Sequence, residues 1–512
     1  MTGATARGAV GAIRVKQPAG RWVLLATVLG TSMAMLDGTV VNIALPSIGR
    51  SLGASLAGLQ WTVTAYTLTL AGLILLGGSL GDRLGRRRVF LTGVIWFALA
   101  SALCGIAPNI GVLIGARALQ GIGGALLAPG SLAIIQATFD PSDRPKAVGA
   151  WSGLGGVAGA VGPFLGGWIV QSIGWRWIFL INLPVAVAVV AVTTRHVPET
   201  SDPSANGRFD ILGAGLAALA LGGITYALIE ASGNGRIGGG VLAAAAAGLV
   251  AAAAFVLVER RRSRSPGRVP PMLPLGVFAS RQFTAVNVVT FVIYGALSAM
   301  LFLLVLELQL VSGYSPLQAG VALLPFTVLT LLLSARAGAL AQRIGPRWLM
   351  TAGALICAVG MLLMTRIGAN ASYLADVLPG VFVFGLGLSM VVAPLTATVL
   401  ASAEVRHAGV ASGVNNAVAR AAGLLAIAGL PLAVGLTGPD YHSAALFEGG
   451  FRAAMVVCAA MLMVGALLSA TMIDNDVLKP APAGPRAAEP ECKTCLPLGA
   501  PPLEPGVSAD TH

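Results

Sequence analysis

The chain has 512 residues, 56% of them hydrophobic and only 10% charged, with 32 Lys and Arg against 20 Asp and Glu and a formal net charge of +12. A soluble globular protein carries roughly a quarter charged residues, so this composition excludes a large soluble enzyme and points to a polytopic membrane protein. The basic residues are scattered between apolar runs instead of gathered on one polar domain, which argues for membrane topology and against nucleic-acid binding.

A spanning helix needs about 20 mostly apolar residues. Fourteen such segments are predicted, near 22–44, 58–78, 89–107, 110–136, 147–171, 176–194, 210–230, 239–258, 283–309, 317–335, 348–366, 374–400, 409–435 and 451–473. The basic start, 1–21, leads into an apolar run that passes Asp37 with no small-residue cleavage site. It is therefore expected to be a tail before a retained first helix, not a signal peptide. With that tail inside, 25 of the 32 Lys and Arg fall on inner connections and tails, 5 on outer connections, and 2 (Arg117 and Arg420) inside spans. This bias puts both termini in the cytoplasm. The Pro/Ala/Gly-rich segment 474–512 is expected to be a disordered cytoplasmic tail. Its Cys492 and Cys495 form a lone thiol pair, too few ligands for zinc.

An internal repeat organises the spans. GSLGDRLGRRRVFLTG (Gly78–Gly93) matches GALAQRIGPRWLMTAG (Gly338–Gly353) at a constant offset of 260, with Gly78, Leu80, Arg83, Gly85, Arg87 and Gly93 all repeated. Asp82 becomes Gln342 in the second copy. Two parallel six-helix halves, 22–194 and 282–473, are thus expected to flank a two-helix insertion at 210–258 and a basic cytoplasmic linker at 259–281. Parallel repeats with a site at their interface are a common transporter plan.

Four segments carry chemistry. In GSLGDRLGRRR the glycines Gly78 and Gly85 allow a tight turn at the membrane surface, and Asp82, Arg83, Arg86 and Arg87 supply charge-assisted bonds to helix ends. A plain positive-inside anchor would explain the arginines but not Asp82. In LDGTVVNIALPSI (Leu36–Ile48), Asp37 interrupts an apolar span, which costs about 2.5–3.5 kcal/mol on insertion scales and usually marks function. In RALQGIGGALLAPG (Arg117–Gly130), Arg117 lies about seven residues from the outer end of its helix, as Asp37 does. At about 1.5 Å per residue both sit about 10 Å deep, within reach of each other as a proton relay or as a fixed ion pair. In WSGLGGVAGAVGPFLGGW (Trp151–Trp168), Gly162, Gly166 and Gly167 permit close helix contact and Pro163 removes a backbone bond.

Together these segments resemble the major facilitator superfamily, and within it the 14-helix drug:proton antiporters, from Trp22 to Ile473. Ala158 stands where that family usually has a glycine, a small departure. The resemblance implies an all-α major facilitator fold in a bacterial cytoplasmic membrane and proton-driven efflux of small hydrophobic or cationic drugs or antibiotics. It implies proton coupling at Asp37 and Arg117, a conformational latch in the Gly78–Arg87 loop, and an antiporter motif at Gly162–Gly167. Export of one endogenous metabolite fits the same motifs; nutrient:proton symport fits them less well. Glu307, Arg420, Asn415, Asn416, Tyr66 and Trp61 are candidates for a second proton site or for substrate contact, with Tyr294 a further aromatic; packing and interfacial roles are the alternatives. No Walker loop, HExxH or nucleophile elbow is present. A secondary transporter and not an enzyme is expected, with no catalytic residues, metal or cofactor, monomeric, and with protons, lipid and a small molecule as its partners.

Overall fold

The computed structural model describes residues 13–202, 209–234, 237–264, 271–273, 275–402, 408–438, 441 and 443–478. The Cys492/Cys495 tail, the first twelve residues and part of the basic linker lie outside these. Fourteen helices among the described residues are long and apolar enough to cross a membrane. They are α1 (Pro18–Leu52), α2 (Leu56–Leu84), α3 (Arg86–Gly105), α4 (Ile110–Thr138), α5 (Arg144–Ser172), α6 (Trp177–His196), α7 (Ile211–Gly233), α8 (Gly239–Arg264), α9 (Arg281–Val311), α10 (Pro316–Ile344), α11 (Pro346–Met364), α12 (Tyr373–Ala401), α13 (Ala411–Ala433) and α14 (Ala444–Met472).

The number of spans matches the sequence reading, but several helices are longer than their apolar runs. α1 begins at Pro18 and continues past Pro46 to Leu52, and α14 begins at Ala444. Apolar runs mark the part that lipid or protein covers, whereas helical hydrogen bonding continues through polar residues until a cap ends it. The caps are visible: Ser55 accepts from Gly58 N–H (3.3 Å), Asn109 from Val112 N–H (2.9 Å), and Ser315 and Gln318 form a capping box at the start of α10.

The repeat is visible in the backbone. Gly85 (φ +108°) and Gly345 (φ +89°) make the same left-handed turn at α2–α3 and α10–α11, where a side chain would strike Glu199 and Asn475 respectively. Gly93 lets α3 close on α4, and Gly353 lets α11 close on α12. In the first half α2 and α3 pack on α4, and α1 on α5; in the second α12 packs on α10 and α11, and α9 on α13 and α14.

Helices α7 and α8 sit at the side of this bundle. α7 lies against α2 and α13, with Gly72 beside Ala218 and Gly429 beside Leu228. α8 packs on α7 where Gly223 meets Gly248, and only Gly248, Ala251 and Glu259 of α8 are buried. The base of the hairpin is stapled. Asp210 pairs with Arg262 and accepts from Gly213 N–H (2.6 Å) and Met272 N–H (3.3 Å), and Glu259 accepts from Leu273 N–H (2.9 Å). Burial works to raise the Asp210 carboxyl, but these donors and the Arg262 charge hold it below the usual carboxylate range.

Candidate functional site

Asp37 and Arg117 meet. Arg117 Nη1 donates to Asp37 Oδ2 at 2.5 Å, with both side chains essentially sealed from solvent. The pair belongs to a larger network. Gln120 Nε2 donates to Asp37 Oδ1 (2.8 Å) and to Ser101 Oγ (3.2 Å), while Gln120 Oε1 accepts from Arg117 Nη1 (2.6 Å). Arg117 Nε donates to the Thr62 carbonyl (3.1 Å), and its guanidinium lies 4.4 Å from the Tyr66 ring centre. Asn182 Nδ2 closes the network on Ser101 Oγ (3.0 Å). Five helices of the first half, α1, α2, α3, α4 and α6, are joined in one network, with Gln120 carrying the link from the ion pair to Ser101 and Asn182. A buried pair repays its desolvation only when its remaining lone pairs and protons are bonded in this way.

Gln120, Ser101, Thr62 and Asn182 were missed in the sequence. Gln120 carried a readable signal, because it sits one turn beyond Arg117 in the same motif. Ser101, Asn182 and the Thr62 carbonyl come from helices distant in sequence and gave none.

The Gly162–Gly167 motif forms the seam to the other half. Gly162 packs on Thr39 and Gly166 on Val40, two and three residues beyond Asp37 on α1. Gly167 abuts the Pro316 carbonyl of α10, and Gly320 of α10 abuts the Pro163 carbonyl. A side chain at any of these would collide, so α1, α5 and α10 are in backbone contact. Beside them Gln309 Nε2 of α9 donates to the Ile43 carbonyl of α1 (2.9 Å). Toward the end of the bundle that carries the termini, the same helices separate: added Cβ atoms at Gly159, Gly153 and Gly149 would touch nothing within 4 Å, and at Gly156 only Leu331. Along this seam the halves are closed at one end and parted at the other.

A cavity of about 490 Å³ occupies the gap between α1, α5, α9, α10 and α12. Thr39, Asn42 and Ile43 of α1 line it, but Asp37 does not. At 100° per residue Asp37 and Thr39 point to opposite sides of the helix, so the carboxylate faces α4 while its neighbours face the cavity. The carboxylate and the cavity are therefore linked through α1 and are not in direct contact.

The remaining candidates disperse. Glu307 is fully buried at the start of a π turn (Glu307–Val311), and neither carboxyl oxygen has a hydrogen-bond partner. Arg420 Nε donates to Asn416 Oδ1 (3.0 Å) one turn away. Asn415 turns into the α9–α13 contact, bonding Thr290 Oγ1 (2.7 Å) and Asn287 Oδ1 (3.2 Å). Trp61 leans on Tyr226 of α7 at 6.2 Å. Neither these residues nor Tyr66 and Tyr294 line the cavity.

In the Gly78–Arg87 loop, Arg86 forks onto Asp82 Oδ1 (2.9 and 2.7 Å), Arg87 Nη1 donates to the Val197 carbonyl (3.1 Å), Arg83 stacks on Phe209 (4.6 Å), and Gly78 faces Pro129 of α4. Glu199, also missed in the sequence, accepts from Arg87 N–H (3.0 Å) and Arg88 N–H (3.2 Å), placing a negative charge on the N-terminus of α3.

A family model described as Major Facilitator Superfamily matches residues 27–427. The puromycin resistance protein pur8 of Streptomyces alboniger is 35% identical over 477 residues, 89% of this chain and 91% of its own. The multidrug resistance protein Stp of Mycobacterium tuberculosis is 36% identical, covering 77% of this chain and 72% of its own. Among solved structures, a D-xylose–proton symporter superposes with a TM-score of 0.62 at 16% identity over 90% of this chain and 99% of that one. A bacterial homologue of the lysosomal transporter Spinster, inward-facing and occupied, superposes with a TM-score of 0.60 at 17% identity over 89% and 97%. At such identities the structural likeness carries the fold alone.

Proposed function

Because this chain belongs to the Major Facilitator Superfamily, we propose that it is a secondary active exporter moving small hydrophobic or cationic drugs or antibiotics out of a bacterial cytoplasm in exchange for protons. The observation that carries the reading is the sealed Asp37–Arg117–Gln120 network on a helix whose next turn lines a central cavity. Resistance and export proteins among the relatives support the substrate class, and the Lys and Arg bias supports cytoplasmic termini, so that the parted end of the bundle faces the cytoplasm. Export of a single endogenous compound would use the same machinery.

A proton from outside reaches Asp37 and cancels its charge. The guanidinium then loses its strongest partner while keeping Gln120, Thr62 and the Tyr66 face, and α1 is held to α4 at this point by the neutral Gln120–Asp37 bond alone. Since α1 is in backbone contact with α5, and α5 with α10, the loosening is passed to the seam between the halves. Glu307, buried without partners beside the Gln309–Ile43 clamp, is the second protonation site. Each charge crossing contributes about 2.3 kcal/mol per 100 mV, enough for substantial concentration ratios.

Proteoliposomes acidified inside test this reading: adding a substrate should collapse the pH gradient. Asp37→Asn should abolish that collapse while leaving the protein folded; normal coupling in this variant would overturn the assignment. Glu307→Gln should retain substrate binding and lower the number of protons moved per substrate.

A further inference from the structure

The cavity has a chemical character that narrows its ligands. Its volume of about 490 Å³ suits a drug-sized molecule, and none of its lining residues is charged. Thr327, Thr330 and Ser334 line it from α10 at i, i+3 and i+7, a single helix face. Each hydroxyl gives its one hydrogen to its own helix: Thr327 to the Leu324 carbonyl (2.9 Å), Thr330 to Phe326 (2.8 Å) and Ser334 to Thr330 (2.5 Å). A hydroxyl so engaged has only acceptor lone pairs left for a ligand. On α1, Asn42 gives one Nδ2 hydrogen to the Gly38 carbonyl (3.3 Å) and keeps the other, while its Oδ1 is buried without a donor. The wall facing α10 is the glycine face of α5, smooth at Gly153, Gly156 and Gly159. The cavity thus combines a row of acceptors on α10 with apolar and glycine walls, broken by the Ser152 hydroxyl and the Asn42 amide, and provides no counter-charge. Asp37 has both oxygens engaged toward α4, and Glu307 is buried outside the lining.

We infer that, of the two substrate chemistries admitted above, this cavity selects uncharged, largely apolar compounds bearing O–H or N–H donors and discriminates against organic cations. The inference rests on the export reading of the same site. A cation entering here loses its hydration and meets no carboxylate. A quaternary cation also brings no donor to the acceptor row, and an ether of the same skeleton fills the space without its hydrogen bonds.

Equilibrium dialysis of the detergent-solubilised full chain, with estradiol, its dimethyl ether and tetraphenylphosphonium as probes, tests the inference. Estradiol should bind at least about tenfold more tightly than either of the others. Thr330→Val and Thr327→Val should each weaken estradiol by about threefold to tenfold, the worth of one hydrogen bond, and leave the ether unchanged. Tetraphenylphosphonium binding as tightly as estradiol, no binding of estradiol, or valine variants that bind it normally would each overturn the inference. Proton flux in proteoliposomes is a separate readout. Selective binding without flux from any probe sinks the export reading and leaves the cavity's selectivity standing; flux driven equally by tetraphenylphosphonium sinks the selectivity alone.

Discussion

Arg117 and Asp37 hold each other, and Asp37 is the one stranded without its partner, since Arg117 keeps the Thr62 carbonyl and the Tyr66 face. Arg117→Met leaves the Asp37 charge buried and unpaired, and removing one partner of a buried pair typically costs about 3–5 kcal/mol. The single variant should therefore lose much of its thermal stability, measured by fluorescence melting in detergent. Combining Arg117→Met with Asp37→Asn should recover most of that loss while transport stays absent, separating the structural from the coupling role. Asp37 and Arg117 were legible in the sequence because a charge in an apolar span is rare and their depths could be counted. Gln120 was overlooked because an amide is a weaker anomaly, yet it engages the second Asp37 oxygen. Thr327, Thr330 and Ser334 were invisible for another reason. Hydroxyls that bond their own helix are ordinary in membrane spans, and only the cavity beside them gives their spacing meaning.

Among the elements, α5 decides whether the two halves can meet. Adding a side chain at Gly167 would put a Cβ 2.5 Å from the Pro316 carbonyl, and at Gly320 one 2.2 Å from the Pro163 carbonyl. Overpacking of this kind costs about 1–3 kcal/mol, here levied on the closed end only. Gly167→Val should leave the protein folded but push it away from the present conformation. A single cysteine introduced at Leu317 should then become more reactive toward a membrane-impermeant maleimide. The hairpin staple responds to acid. The Asp210 carboxyl is held below its unfolded value, so its ionised form contributes stability at pH 7. That contribution is lost as pH falls through the lower folded value. Asp210→Asn should lower the melting temperature at pH 7 and narrow the gap to wild type as the pH is taken below that value. The sequence outlined the hairpin as two apolar runs, but the staple joins residues on either side of both helices and has no local pattern.

At the scale of the whole molecule, the repeat read at an offset of 260 survives as paired geometry, Gly85 with Gly345 and Gly93 with Gly353. The symmetry is broken where chemistry is needed. Glu199 caps α3 through two amides, whereas the matching turn of the second half abuts the neutral Asn475. The proposed exchange requires the parted end to close. Cysteines replacing Gly156 and Leu331, already near contact, should form an oxidant-induced cross-link that stops proton flux, with activity restored by reduction. A cross-linked protein that pumped at the normal rate would mean the halves do not rock about this gap.

Helix α8 adds a different property. With only three buried residues, much of its surface is left to face acyl chains, so a change in hydrocarbon thickness puts a mismatch cost on this helix. Its far end is fastened through Arg262 to Asp210 and through Glu259 to Leu273, ahead of α9. Lipid chain length thereby acquires a lever on the second half. Turnover should vary between shorter-chain and longer-chain bilayers, and vary less once Asp210→Asn has loosened the fastening.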